Sequence, residues 1–268
     1  SLRESRTIFQ LMASSVAKLD SITEIARAEW AAMGRDLRMV ILSDHVRAAD
    51  LPTNSDGAFR PSKLGVIPIF EHLRRNGVGA GRTGVLTGTL VIVPRTALAA
   101  LGDLARNQGL DADTVVTVDI PACPDHVRIT LGSAHGARLV RLVTALFAQG
   151  EIEILVGTQS LLGEGWDAPV LNSLILASNT SSFMLSNQMR GRAIRVDPDT
   201  PKKVANIWHL ATVEPPIRGP LADLAEAMNW GHLMDDGPGG LSDIAILNRR
   251  FRAFEGISSS ASNLIEGG

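Results

Sequence analysis

Residues 151–177 read EIEILVGTQSLLGEGWDAPVLNSLILA, and they carry the strongest prediction of the fold class. Two apolar runs of strand length, Ile152–Val156 and Leu171–Ala177, flank a loop that is rich in glycine. A strand that is apolar on both faces is typical of a parallel sheet covered by helices. Outward from this stretch, the pattern predicts a helix over Ser181–Ile194 and a third strand over Val204–Leu210. Strand–helix–strand order with short links therefore predicts an α/β fold with right-handed crossovers.

The same alternation continues upstream. Apolar residues at spacings of three and four predict amphipathic helices over 15–33 and 137–149. Short apolar runs bounded by polar or glycine-rich residues predict strands. The predicted strands are 37–42, 85–93, 114–120 and 127–131. Two further helices are predicted over 64–75 and 95–107.

Composition limits the possible functions. Hydrophobic residues make up 45% of the 268 residues, enough for a sizeable core. The formal net charge is −2, so any binding of nucleic acid must come from a local basic patch. The single cysteine, Cys123, allows no disulfide within the chain and fits a reducing compartment. No spanning run or signal peptide is visible, so we expect a cytoplasmic protein without a membrane partner. Because Ser1 stands where methionine would start a chain, we expect an excised part of a longer protein.

A basic segment ends the helix predicted over Ser181–Ile194. It reads QMRGRAIR, and Arg192 and Arg195 are three residues apart, which places them on one face of a helix end. Gly191 lets another backbone or a ligand come close. Guanidinium groups are always charged and donate bidentate hydrogen bonds to phosphate oxygens, so this pair suits phosphoryl transfer. A solvated basic helix end, favoured by the helix dipole, is the alternative interpretation of these residues alone.

The loop after Ile152–Val156 carries a second candidate set. Gly157 and Thr158 follow the apolar run, and GEGWDAP comes next. Ligands of open α/β sheets bind beyond the carboxyl ends of the strands, where backbone N–H groups and hydroxyls can meet phosphates. A turn-rich connection with an incidental aspartate is the alternative. Trp166 could stack on a base, but packing within the protein is the favoured interpretation.

The two segments together resemble motifs V and VI of superfamily 2 helicases. The pattern Q-x-x-G-R-x-x-R of motif VI is matched in full, and the residues that match the two motifs are Thr158, Gly165, Asp167, Gln188, Gly191, Arg192 and Arg195. The loop is similar to that of bacterial restriction-enzyme-like and DEAD/DEAH-type helicases. Arg38–Asp44 lies where the family has motif IV, and the resemblance covers residues 16 to about 212.

The resemblance implies a RecA-like, P-loop NTPase-type domain that closes on a first such domain with ATP between them. Arg192 and Arg195 would then reach the terminal phosphates, with Arg195 as the better arginine-finger candidate. Gln188 would help to set the γ-phosphate or the attacking water. Gly165 and Asp167 would lie near the nucleotide ribose, with Gly191 also at the nucleotide. Thr158, with Gly157, would contact the nucleic-acid backbone without reading its sequence.

One departure from the family is the absence of a Walker A motif. The nearest candidate, Asn76–Thr83, has asparagine for the first glycine and arginine for the lysine, and it follows a predicted helix instead of a strand. No D-E-x-[DH] strand is present either. We therefore expect ATP and Mg²⁺ to be bound mainly by an absent N-terminal RecA-like domain of the same protein. The chain alone should bind ATP weakly and not hydrolyse it. The histidines lack the spacing of metal ligands, so no metal site is expected.

The predicted organisation is a RecA-like domain over 1–230 and a C-terminal extension over 231–268 with a short helix at 248–254. Segments 48–62 and 105–130 are predicted insertions. Nucleic acid is the expected partner, with DNA favoured over RNA by resemblance. A degenerate RecA-like scaffold without catalysis and the nucleotide-sugar half of a two-domain glycosyltransferase remain as alternatives. The arginine pair argues against both, because a scaffold needs no aligned arginines.

Overall fold

The computed structural model describes residues 2–44, 46, 51–52, 59, 63–110, 114–131, 136–158, 166–177, 190–195, 200, 203–212, 256–257 and 264–265. The chain divides into two compact units, Ser1–Leu210 and Ala211–Gly268. Most of the predicted insertion at 48–62 lies outside the described residues.

The first unit alternates helices and strands. Its helices are α1 (Leu2–Met33), α2 (Val66–Arg75), α3 (Leu98–Asn107) and α4 (Gly136–Gln149). Its strands are β1 (Met39–Ser43), β2 (Thr83–Leu86), β3 (Val91–Pro94), β4 (Val115–Asp119), β5 (His126–Leu131), β6 (Ile154–Thr158), β7 (Ser173–Leu176) and β8 (Asn206–His209).

The eight strands among the described residues of this unit form one sheet in the order β4-β5-β3-β2-β6-β1-β7-β8. Neighbouring strands are parallel in the part of this order that runs β2-β6-β1-β7-β8. Every residue of β1 and β7 is buried, as the apolar runs predict for strands with helices on both faces. The predicted fold class, an α/β sheet of mostly parallel strands flanked by helices, is confirmed.

The other flank of the sheet is antiparallel. β3 pairs with β2 and β5, and β5 pairs with β4, all in antiparallel register. The segment 105–130 thus supplies the end of α3, all of β4 and the first part of β5. The predicted strand over 85–93 is wrong as a single strand. The chain turns at Thr87, whose hydroxyl accepts hydrogen bonds from the backbone N–H groups of Thr89 and Leu90, and β3 returns beside β2.

The core has one layer on each face of the sheet. α3 and α4 cover one face, where Leu142, Leu146 and Phe147 pack against β1, β3, β6 and β7. α1 and α2 cover the other face, where Leu19, Ile22 and other apolar side chains pack against the same strands. The glycine-rich segment after α2 forms a 3-10 turn over Val78–Gly81. It follows a helix and not a strand, as predicted.

Buried carboxylates attach α1 to the sheet. Glu29 is buried and accepts hydrogen bonds from Asn206 Nδ2 at 3.0 Å and Trp208 Nε1 at 2.6 Å, both on β8. The indole of Trp30 donates to Glu153 Oε2 at 3.0 Å, just before β6. Trp30 is 37% exposed. The helix begins earlier than predicted, at Leu2.

The second unit contains two short strands among its described residues. β9 (Gly256–Ile257) pairs with β10 (Leu264–Ile265) in antiparallel register. The helix predicted over 248–254 and the boundary predicted at 230 lie outside the described residues, so both stay predictions. Over the described part of the chain, no helix is both long and apolar enough to span a bilayer.

Candidate functional site

The carboxyl ends of β1 and β6 lie side by side at one edge of the sheet. Their last residues, Ser43 and Thr158, are register partners. Gly157 is buried within β6 and pairs with Leu86 of β2 on its other side. Thr158 is half-buried, which leaves part of its side chain at the surface beyond the strand. The predicted nucleic-acid contacts Gly157 and Thr158 thus lie where parallel α/β sheets place their ligands.

Ser43 belongs to the motif IV-like segment Arg38–Asp44, but the sequence assigns it no role of its own. Its side chain is 1% exposed, and its hydroxyl has no hydrogen-bond partner among the described residues. A buried hydroxyl without a partner is unusual, because desolvation of the group is then uncompensated. The sequence signal is only its position as the polar residue that ends an apolar strand.

Trp166 anchors the loop that follows β6. Its side chain is 3% exposed and packs against Phe147 of α4, with ring centroids 6.2 Å apart. The indole Nε1 donates a hydrogen bond of 2.8 Å to the hydroxyl of Thr144, also on α4. The favoured interpretation of this tryptophan, packing within the protein, is confirmed. Gly165, the preceding residue, lies outside the described residues.

Asp167 and Arg195 form an ion pair. Arg195 Nη1 lies 2.7 Å from Asp167 Oδ1, and the two side chains are 56% and 45% exposed. The loop after β6 and the basic segment therefore meet through their charged groups. This contact joins two residues that the sequence predicted for one site from separate motifs.

Arg192 is held differently from Arg195. Its Nη1 donates to the backbone carbonyl of Trp166, and its side chain is half-buried. Residues 190–193 are helical, and Ala193 is fully buried in the same core layer as Trp166. Burial lowers the pKa of Arg190 at the start of this helical turn. Gly191 is exposed, and, its chain neighbours and own helix backbone aside, no atom of the described residues lies within 4 Å of where a side chain would begin.

Lys203 was missed by the sequence analysis. Its ammonium donates to the carbonyl of Leu171 at 2.9 Å, to that of Ala193 at 3.3 Å and also to that of Pro169. One side chain thus ties the residues before β7 to the helical turn that carries Arg192. A lysine before a predicted strand carries no local signal of such a role, because its acceptors are distant in sequence.

The described residues bring Asp167, Arg192 and Arg195 together, and Thr158 is the last residue of β6. Gln188 lies outside them, so its predicted role stays a prediction. Basic side chains outnumber the single carboxylate in the described loop and helical turn, which suits an anionic ligand. In the described part of the chain, no group of three or more His, Cys, Asp or Glu side chains could hold a metal ion.

No protein-family model and no curated protein matches this sequence. Among solved structures, the chain is similar to the Pyrococcus furiosus Hef helicase domain, with 16% identity, a TM-score of 0.38, and coverage of 81% of this chain and 28% of that one. The C-terminal part of the Fun30 ATPase domain gives 11% identity and a TM-score of 0.42 over 82% of this chain and 55% of that one. T4 UvsW gives 12% identity and a TM-score of 0.39, with coverage of 85% of this chain and 35% of that one.

The chain therefore spans between 28% and 55% of the length of these three proteins. At such identities and TM-scores, the similarities identify neither a family nor an activity for this chain.

Proposed function

We propose that this chain is the second RecA-like motor domain of a superfamily 2 nucleic-acid-dependent ATPase. The observation that supports the proposal most is the contact between the two motif-like segments. Asp167, in the connection between β6 and β7, pairs at 2.7 Å with Arg195, in the connection between β7 and β8. A scaffold that had lost its activity would have no need to keep these charged groups together.

In this proposal the ATP site is shared with an N-terminal RecA-like domain of the same protein. Arg195 reaches the terminal phosphates as the arginine finger, and Arg192 supports it. Fixed guanidinium groups suit this task, because they neutralise charge that develops on the transferred phosphoryl group. The N-terminal domain would make most of the contacts with ATP and Mg²⁺, and the metal would neutralise further charge on the phosphates.

The remaining predicted residues complete the site. Gln188 orients the γ-phosphate or the attacking water, and Asp167 and Gly165 lie near the ribose. Gly191 has open space beside it, which allows a phosphate or a partner backbone to come close. Thr158 and Gly157 contact nucleic-acid backbone phosphates, with DNA favoured over RNA. Closing and opening of the two domains would then drive movement along a strand.

The test is ATP hydrolysis by the protein that carries both domains, measured with and without single-stranded DNA. Loss of an arginine finger costs about a thousandfold or more in turnover, so Arg195→Ala should abolish the DNA-stimulated rate while ATP binding persists. Arg195→Lys should recover little of it, because lysine lacks the planar fork. Arg106→Ala is the matched control, since Arg106 is an exposed arginine of α3 that pairs with Asp103.

An unchanged rate in Arg195→Ala would overturn the motor proposal. A protein with both domains that hydrolyses no ATP would do the same. Either result would favour the degenerate scaffold, which binds a partner through the same surface without turnover. The chain by itself should show no hydrolysis, because it lacks the Walker motifs.

A further inference from the structure

The hydroxyl of Thr144 connects α4 to the candidate site. It accepts a hydrogen bond of 2.8 Å from the indole Nε1 of Trp166, and it donates one of 2.7 Å to the carbonyl of Val140 one helical turn earlier. A hydroxyl has one proton to donate, so the bond to Val140 leaves its lone pairs for the indole. Indole nitrogen is a donor only, so the direction of both bonds is fixed.

Trp166 passes this restraint to Arg192. Its carbonyl accepts a hydrogen bond from Arg192, and the next residue, Asp167, accepts one from Arg195 at 2.7 Å. Both arginines are therefore held by two consecutive residues of one loop. The loop in turn is anchored by the buried indole, which packs against Phe147. The position of the Arg192 guanidinium thus depends on the position of Trp166.

We propose that Trp166 is a positioning residue for Arg192, and that Thr144 on α4 fixes Trp166 in place. The consequence for catalysis rests on the proposed function, whereas the positioning itself is a property of this chain alone. An arginine side chain has many rotamers, and holding it in one arrangement beforehand lowers the entropy lost when it meets a phosphate. Misplacement by about 1 Å can cost about a hundredfold in rate.

The first measurement follows the guanidinium groups directly in this chain. The ¹⁵Nε order parameters of Arg192 and Arg106 are compared by NMR in the wild type, Thr144→Val and Thr144→Ser. Valine matches the shape of threonine but can neither accept nor donate, whereas serine keeps the hydroxyl. We expect the order parameter of Arg192 to fall in Thr144→Val and to be retained in Thr144→Ser. The order parameter of Arg106, which is exposed on α3, should stay unchanged in both.

Trp166→Phe removes the N–H donor and keeps an aromatic ring, so it should mimic Thr144→Val. Thr130→Val, on β5, removes a hydroxyl that makes only a long 3.5 Å contact and serves as the matched control. An Arg192 signal that is equally ordered in the wild type, Thr144→Val and Trp166→Phe would overturn the proposal. So would a uniform loss of order across all arginines, since that reports general loosening of the fold.

The second measurement uses ATP hydrolysis by the protein that carries both domains. One lost hydrogen bond corresponds to about a fivefold change in rate, so Thr144→Val should lower kcat about fivefold with KM for ATP unchanged. In the Arg192→Ala background, Thr144→Val should lower kcat no further. A fivefold fall that persists in that background would overturn the inference. Arginine variants that leave the rate unchanged would instead overturn the proposed function, while the NMR result stands separately.

Discussion

Replacing Glu71 tests a buried ionic cluster outside the candidate site. The carboxylate is fully buried on α2 and accepts hydrogen bonds from Arg74 Nε at 3.0 Å and Nη2 at 2.9 Å. Arg75 Nε donates at 3.0 Å, and the thiol of Cys123 donates at 2.8 Å. Arg74 also donates to the carbonyl of Ala122 at 3.3 Å, so the cluster ties α2 to the turn between β4 and β5.

Removal of one partner from a buried ionic cluster costs about 3–5 kcal/mol, because the remaining charges lose their compensation. The side chains of Arg74 and Arg75 keep 16% and 25% of their exposure, so water can partly replace the carboxylate. We therefore expect Glu71→Ala to lower the free energy of unfolding by the lower figure, about 3 kcal/mol. With a urea m-value of about 3 kcal/mol per molar, the urea midpoint falls by about 1 M.

The pH dependence of the same variant gives a second check. Burial raises the pKa of Glu71, but the hydrogen bonds from Arg74, Cys123 and Arg75 outweigh it and hold the pKa below its usual range. A carboxyl with a lowered folded pKa stabilises the protein above its unfolded pKa, and this stabilisation is lost as the pH falls through the folded value. The difference in the free energy of unfolding between wild type and Glu71→Ala should therefore become smaller in acid.

Asp103→Ala is the control. Asp103 forms an exposed pair with Arg106, so its replacement should leave the urea midpoint unchanged. Equal urea midpoints for wild type and Glu71→Ala at pH 7 would refute this reasoning.

The remaining predictions concern the pH dependence of stability at His126 and a comparison of two glycines, Gly84 and Gly191. Burial lowers the pKa of His126, whose Nε2 donates to the carbonyl of Thr83 at 3.0 Å, so the unfolded chain binds a proton more readily. The free energy of unfolding should fall as the pH drops through the usual histidine pKa of about 6.5, and less steeply in His126→Gln, as followed by urea titration at each pH. A Cβ added at Gly84 would lie 3.1 Å from both the Ile152 side chain and the Ile92 carbonyl, so Gly84→Ala should cost about 1–3 kcal/mol. Gly191→Ala has open space, so it should keep the urea midpoint while raising KM for ATP in the protein that carries both domains. Equal destabilisation by the two glycine variants would contradict this.

The parallel part of the sheet could be predicted from the sequence because its strands carry their own signal. The apolar runs that became β1, β6 and β7 are buried on both faces, apart from Thr158 at the end of β6, as such runs predict. The turn at Thr87 was missed because apolar residues stand on both sides of it. The usable signal was Thr87-Gly88-Thr89, in which a threonine hydroxyl can bond the backbone N–H groups that follow.

The antiparallel flank illustrates what a single sequence leaves undetermined. The strands β4 and β5 were predicted, but their alternation does not say which edge they join. Their place beside β3 depends on backbone pairing and on long-range contacts such as the bond from His126 to Thr83. Lys203 and Thr144 were missed at the site for the same reason. Their partners are distant in sequence, and neither residue type announces a role at its own position.

The two candidate arginines differ in how strongly this chain holds them. Arg195 pairs with Asp167 at the surface, and ion pairs with both side chains about half exposed contribute only about 0–1 kcal/mol. Such a pair exchanges readily for a phosphate, which carries more charge and more acceptor oxygens. Arg192 is half-buried and held by the carbonyl of the buried Trp166, where exchange would leave that carbonyl without its partner. In the proposed motor, Arg195 is thus the arginine that would be redirected across the cleft, and Arg192 is the one that would stay in place. This asymmetry argues for Arg195 as the finger from contacts, and the sequence pattern alone could not separate the two.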